Sequence, residues 1–320
     1  MKTVTGILAA VIVAMAGGAS AQPAYPHQPI KFVIPFAAGS ATDTFARAVG
    51  AHMSTHYGQP VVVSNVPGGS GFIAANSVAR ATPDGYTVFV TSSSTHAANK
   101  SLFKKLSYDP VADFEPVAKL GLLTLAMITH PSVPASNLRE FIAYAKANPG
   151  KVSFGSGASS SRIAGELLKM MAGIDMFNVP YKSNPQAVTD LVGGQTSVVI
   201  ADLTVTMPQV RGGRAKGLAV TSAKRSALAP ELPTMSEAGV PGYELTAWLA
   251  AFVPAKTPGS LVDRLNEGFR VALADKDTVA TLLNAGIEPE FSSPEQLRTF
   301  AAAETRKWAE IIKASGIQPE

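Results

Sequence analysis

From Ile30 onward, short apolar runs alternate with longer amphipathic runs, and this alternation restricts the chain to one fold class. "IKFVIP" reads as a strand. It is followed by a helix from Asp43 to Tyr57, with Phe45, Val49, Met53 and Tyr57 on one stripe, four residues apart. "PVVVSN" is a second strand, Phe72 to Arg80 a helix, Pro83-Asp84-Gly85 a turn, and "YTVFVT" a third strand. Strands apolar on both faces and joined by helices predict a parallel sheet covered on each side.

A second series of the same kind starts near "LTLAMITHP". Ser136 is expected to cap a helix that Pro149-Gly150 ends. Strand "KVSFG", helix Arg162–Ala172, strand "MFNVPY", helix Pro185–Val192, strand "SVVIA", a short helix and strand "KGLAVT" follow. The tail differs. One apolar strand, "ELTAWLAAFVPA", precedes helices at Pro258–Ala272, Lys276–Ala285 and Pro294–Ala314, the last with Leu297, Phe300, Trp308 and Ile311 facing inward. Such a tail is expected to pack back on the first series. The chain would then cross twice between two α/β lobes, near residues 121–126 and 244–250.

Composition narrows the chemistry. The 320 residues are 46% hydrophobic, enough for two domains of ordinary size. Cysteine is absent, which removes thiol catalysis, thiolate metal sites and disulfides. The formal net charge of +4 is spread out, and the "RGGRAKG" cluster at Arg211–Gly217 lacks interleaved aromatics, so it reads as a solvated turn and not as a nucleic-acid patch. At the N-terminus, Lys2, the apolar run Ile7–Gly17 and "ASA" (Ala19-Ser20-Ala21) have the form of an export signal cleaved just before Gln22. The apolar run is too short to cross a bilayer.

Two stretches carry the candidate site. "KFVIPFAAGSATDTFAR" and "KVSFGSGASSSRIAGELL" both run strand, loop of Ala, Gly and Ser, helix, with one in each expected lobe. Bare N–H groups at a helix N-terminus carry partial positive charge and bind anions, and small side chains let a ligand approach the backbone. In open parallel sheets ligands bind beyond the carboxyl ends of the strands. Two such loops facing one another would clamp a small anion. Each alone is an ordinary βα turn. Asp43 fits equally a ligand contact and a dipole-compensating residue paired with Arg47 four positions on. Arg162, a cation at a helix start, opposes the dipole and so suggests an anionic partner, the other reading being a solvated arginine or one paired with Asp202 or Glu166.

Enzyme motifs fail. The five histidines form no HExxH, "GSGASS" lacks the last glycine of GxGxxG, and neither a P-loop nor GxSxG is present. His52 and His56 share a helix face without an acidic third ligand, and no base pairs in sequence with the serines of Ser92–Ser94 or Ser156–Ser161. No catalytic residue, metal site or cofactor is assigned.

The stretches "YPHQPIKFVIPFAAGSATDTFAR", "VVVSNVPGGSGFIAANSVARATPDGYT", "DFEPVAKL", "VPYKSNPQAVTDLVGGQ", "LAVTSAKRSALAPELPTMSEAGVPGYE" and "PAKTPGSLVDRLN", taken in order, resemble the Bug (TctC-like) family. These are the extracytoplasmic solute-binding proteins of tripartite tricarboxylate transporters. The resemblance covers nearly all of the chain after Gln22. It implies a two-lobed, type II-like periplasmic-binding-protein fold, with residues 22–123 and 248–320 in one lobe, 124–247 in the other, and the ligand between them. It also implies a periplasmic monomer that delivers a carboxylate to transporter membrane subunits. Carried over by position, the ligand-binding residues are Phe36, Ala37, Ala38, Gly39, Ser40 and Asp43 in the first loop. Ser156, Gly157, Ala158, Ser159, Ser160 and Ser161 form the second, with Arg162 after them. The Ser93–Thr95 stretch and Asp202 lie opposite. Three positions depart from the family: Gly39-Ser40 for a Gly pair, Arg162 for a His, and "VPYKSN" for "VPYKG". Arg162 is accordingly expected to meet a second ligand carboxylate. Citrate-like tricarboxylates, aliphatic diacids, aromatic diacids such as terephthalate, acidic amino acids and nicotinate-like acids all remain open. An exported α/β enzyme acting on an acid, and a sensor for a membrane signalling protein, are the alternative readings.

Overall fold

The computed structural model describes residues 25–320. The leader reading, residues 1–21, lies outside them. The first series is β1 (Ile30–Ile34), α1 (Ala41–Tyr57), β2 (Val61–Asn65), a 3-10 turn at Gly69–Gly71, α2 (Phe72–Ala79) and β3 (Thr87–Ser92). A π-helical turn at Ser94–Ala98 and α3 (Asn99–Leu102) follow, which the sequence pattern did not reveal. The second series is β4 (Phe114–Thr129), α4 (Leu138–Ala147), β5 (Val152–Ser156), α5 (Ser159–Ala172), β6 (Met176–Pro180), α6 (Asn184–Val192), β7 (Val198–Asp202), α7 (Leu203–Arg211) and β8 (Lys216–Val220). The tail is β9 (Thr246–Pro254), α8 (Gly259–Ala274), α9 (Lys276–Asn284), β10 (Glu288–Pro289) and α10 (Pro294–Ala314).

The strands form a mixed sheet in the order β2-β1-β3-β9-β4-β7-β5-β6, with β8 and β10 also on β4. β1 is parallel to β2 and β3, and β5 is parallel to β6 and β7, because a helix connects each of these strands to the next. β9 and β4 run antiparallel to each other and to their outer neighbours β3 and β7. β4 changes partners along its length. Phe114 to Thr124 pair with β9, and Leu125 to Thr129 pair with β7. One 16-residue strand thus belongs to both halves, and β9 leaves it where Thr246 pairs with Thr124.

The helices follow local rules. α10 starts with a capping box between Ser293 and Gln296 and buries Leu297, Trp308 and Ile312, while Phe300 and Ile311 pack beside the core half-covered. Trp248 of β9 and Trp308 of α10 both donate to the Glu304 carboxylate at 3.0 Å, so the tail is fastened to the crossing strand. Two helix starts differ from expectation. Asn137, not Ser136, caps α4, its side chain accepting the Glu140 N–H. α5 begins at Ser159, three residues before Arg162. The apolar periodicity starts only at Ile163, so it concealed a first turn made of serines. Among the described residues no helix is long and apolar enough to cross a membrane, and no cluster of three metal-ligating side chains occurs.

Candidate functional site

The loop after β1 is held by its own side chains. Ser40 caps α1 in extended conformation and accepts the Asp43 N–H at 3.3 Å. Gly39 takes φ +79°, a left-handed geometry that glycine adopts without cost. Asp43 is buried and fully engaged. It accepts the Gly39 N–H (3.0 Å), the Arg47 Nε (3.0 Å) and the Asn65 amide (2.9 Å). Burial pushes its carboxyl up, but the hydrogen bonds from Arg47, Gly39 and Asn65 outweigh that and hold it below the usual carboxylate range. Asp43 therefore shapes the loop through Arg47, the role its spacing allowed, and does not line the cavity between the halves.

The loop after β5 lacks such ties. Ala158 occupies the N-cap of α5 without a side-chain hydrogen bond, and the first turn contains no acid. The unpaired N–H groups there and the helix dipole make an uncompensated positive end. Gly157 is pressed against the start of α6. A Cβ there would lie 2.0 Å from the Ser183 carbonyl carbon and 2.1 Å from the Asn184 nitrogen. Asn184 ties this region together. Its Oδ1 accepts the Gly157 N–H (3.0 Å) and the Ser161 hydroxyl (2.9 Å), and its Nδ2 donates to Asp202 Oδ2 (3.1 Å).

Between the halves these parts enclose a narrow cavity of about 20 Å³, room for roughly one water. α1 contributes Ser40, Ala41 and Thr42, α5 Ala158 and Ser160, α6 Ser183 and Asn184, and α7 its N-cap Asp202. Phe36, Ser92, Leu123 and Ala247 complete the wall. Four helices thus begin at one small volume, where the sequence suggested two. Two hydrogen bonds cross between the halves beside it. The Ala37 N–H donates to Ser183 Oγ (3.2 Å), and Ser159 Oγ donates to Asn99 Oδ1 (2.7 Å). Outside the cavity, beyond Gly39, Pro185 and Thr204, a groove of about 340 Å³ runs between α6 and α7.

Of the residues expected at the site, Phe36, Ser40, Ala158, Ser160 and Asp202 line the cavity, and Gly39 lines the outer groove. Ser156, Gly157, Ser159 and Arg162 line a separate pocket of about 170 Å³ on the far side of the second loop, which Ala158 also borders. Arg162 corrects the expectation most. Three residues inside α5, it points away from the cavity and pairs with Glu320 at 2.7 Å. Thr95 is spent on Thr91 (2.7 Å) and His96 Nδ1 (2.9 Å). Ser93 is buried without a hydroxyl partner, and Ser92 takes the place at the wall instead. Ala37 is used in the cross-cleft hydrogen bond. Ala38 and Ser161 are absent from the cavity wall, Ser161 being committed to Asn184.

With this geometry in place, the comparisons are specific. The family model described as "Tripartite tricarboxylate transporter family receptor" matches residues 45–317. The chain belongs to this TctC receptor family. It is 34% identical over 295 residues to Protein BugT of Bordetella pertussis, covering 91% of this chain and 90% of that one. Among solved structures it is similar to R. palustris Rpa4515 with adipate, with TM-score 0.90, 34% identity, and 92% and 100% of the two chains covered. It is also similar to the periplasmic binding protein BugD, with TM-score 0.89, 33% identity, and 92% and 100% covered. The mixed α/β fold is the one these receptors share. Ser183 and Asn184, which sequence reasoning did not place at the site, sit where this chain departs from the family's "VPYKG". That departure was the available signal. They follow β6 as a third βα turn of the second half.

Proposed function

We propose that the protein is a periplasmic receptor that captures a small carboxylate between its two halves and hands it to the membrane subunits of a tripartite tricarboxylate transporter. The observation that carries this is the convergence of the N-termini of α1, α5, α6 and α7 on one cavity that has no Lys, Arg or His in its wall. Helix ends supply partial positive charge and N–H donors, which suits holding an anion, and no hydrogen bond pairs a wall hydroxyl with Asp202, the one acid there. The adipate in the Rpa4515 structure supports the same ligand class.

Residues 22–123 with 248–320, and 124–247, act as the two lobes, with hinges where β4 changes partners at Thr124/Leu125 and where the chain returns at Leu245/Thr246. The enclosed volume is too small for an acid, so the lobes must part to admit one, breaking the Ala37–Ser183 and Ser159–Asn99 hydrogen bonds. The inner end then holds one carboxylate, and the rest of a di- or tricarboxylate extends into the outer groove. There Thr189, Thr204 and Gln209, not Arg162, would meet its distal end.

A thermal-shift and calorimetric panel of adipate, malate, citrate, terephthalate, glutamate and nicotinate tests this. One or more acids should bind stoichiometrically without turnover and change the radius of gyration in solution scattering, because the closed cavity must widen to hold them. Turnover of any acid, or no stabilisation by any of them, would overturn it.

A further inference from the structure

One buried group at the cavity is left without a partner, and its chemistry constrains what can bind beside it. Asp202 ends β7 and caps α7, and is 7% exposed. Its Oδ2 accepts the Asn184 amide at 3.1 Å, while Oδ1 is buried without any partner. The residue lines the cavity, and the Thr204 hydroxyl at the adjoining groove is likewise buried and unpartnered.

Among the described residues no cationic side chain pairs with Asp202, and only the N-terminal end of α7, which it caps, offsets its charge. Its neighbour on α6 is the neutral Asn184, and Leu125 of β4 lies opposite it in the sheet. The charged groups of the packed elements are engaged elsewhere: Asp190 of α6 accepts from Tyr181, Arg211 of α7 pairs with Glu231, and Lys119 of β4 pairs with Glu290. Asp43 of α1 is held by Arg47 and Asn65, and Arg162 of α5 by Glu320. An ionised Asp202 would face a captured carboxylate across the widened cavity, and like charges so placed disfavour the doubly charged state. Burial pushes the Asp202 carboxyl above its usual range, against opposing hydrogen bonds from Asn184 and from the start of α7.

Resting on the receptor reading, we propose that Asp202 binds the ligand as the neutral acid, its Oδ1–H donating a hydrogen bond to the captured carboxylate. The balance is simple. Where Asp202 is ionised in the free protein, the ligand anion, the Asp202 anion and one proton combine, and no covalent bond changes. The carboxyl would act as a selectivity gate. It accepts an anion only together with a proton, so affinity must fall as pH rises, by tenfold per unit once Asp202 ionises in the free protein.

The test uses the tightest-binding acid of the panel above, between pH 6.5 and 9, where simple carboxylic acids are ionised. In the wild type, affinity should fall with pH, and calorimetry in buffers of different ionisation enthalpy should show uptake approaching one proton at the upper end. D202N keeps a neutral donor, so it should bind within about threefold of the wild type at pH 6.5, with a flat pH profile. D202A should bind about tenfold more weakly at pH 6.5. A protonated-carboxyl stretch in the infrared spectrum of the ligand-bound wild type, absent in bound D202N, reads the state directly whatever the free-state titration. The proposal is overturned if the ligand-bound wild type lacks that stretch at pH 6.5, even if the variants fail to fold. A panel in which no acid binds at all would instead defeat the receptor reading beneath it.

Discussion

The two strand–loop–helix units look alike in sequence, yet the structure gives them opposite electrostatic states. The first is closed on itself. Ser40 caps α1, Asp43 offsets its dipole, and Arg47 and Asn65 lock Asp43 in place. The second is left open. Ala158 caps nothing, the first turn of α5 has no acid, and Asn184 reaches in from the next turn to organise the loop. One loop is therefore tied internally, and the other presents the more positive helix end to the cavity. A shared pattern of small residues establishes that backbone can come close to a ligand. The side chains around it decide which helix end is left electrostatically free.

The glycines of the two loops provide the largest contrast. Gly157→Ala drives a Cβ into the Ser183–Asn184 backbone, which cannot yield as a side-chain tip would. Stability should fall by about 3 kcal/mol and carboxylate affinity by a hundredfold or more. Gly39→Ala meets no atom within 4 Å and suffers only its left-handed φ, so it should cost about 1–2 kcal/mol. Chemical denaturation and calorimetry of both variants check the pair. Equal effects would mean the loops are interchangeable.

Making the second loop resemble the first tests the electrostatic half of the contrast. Ala158→Asp supplies the missing cap and an acid at the open helix end. The melting midpoint should hold or rise, by up to about 1 kcal/mol of stability, while carboxylate affinity drops about tenfold. A variant that gains stability and keeps its affinity would show that the anion does not sit at α5.

The smallest effect is expected at Arg162. Its pair with Glu320 is partly exposed, and such pairs contribute about 0–1 kcal/mol. Arg162→Ala should shift stability by less than about 1 kcal/mol and leave diacid and monoacid affinities within about threefold. A tenfold loss confined to diacids would return Arg162 to the ligand's distal end.

Much of this protein was legible in its residues. Apolar runs of strand length, amphipathic stripes and Pro/Gly stops are local properties, so the α/β class, nearly every principal helix and strand, and the returning tail could be read directly. The two small-residue loops were visible for the same reason, since a strand, a run of tiny residues and a helix are contiguous in sequence. What was not legible involves partners far apart in the chain. The role of Asp43 required Asn65, the outward turn of Arg162 required Glu320, and the place of Ser183 and Asn184 at the wall required β6 to lie beside β5. Four helix N-termini meet at one cavity only because β4 and β9 join the two halves into one sheet. The free carboxyl oxygen of Asp202 follows from the same packing: no local pattern marks a buried atom whose neighbours all belong to other segments.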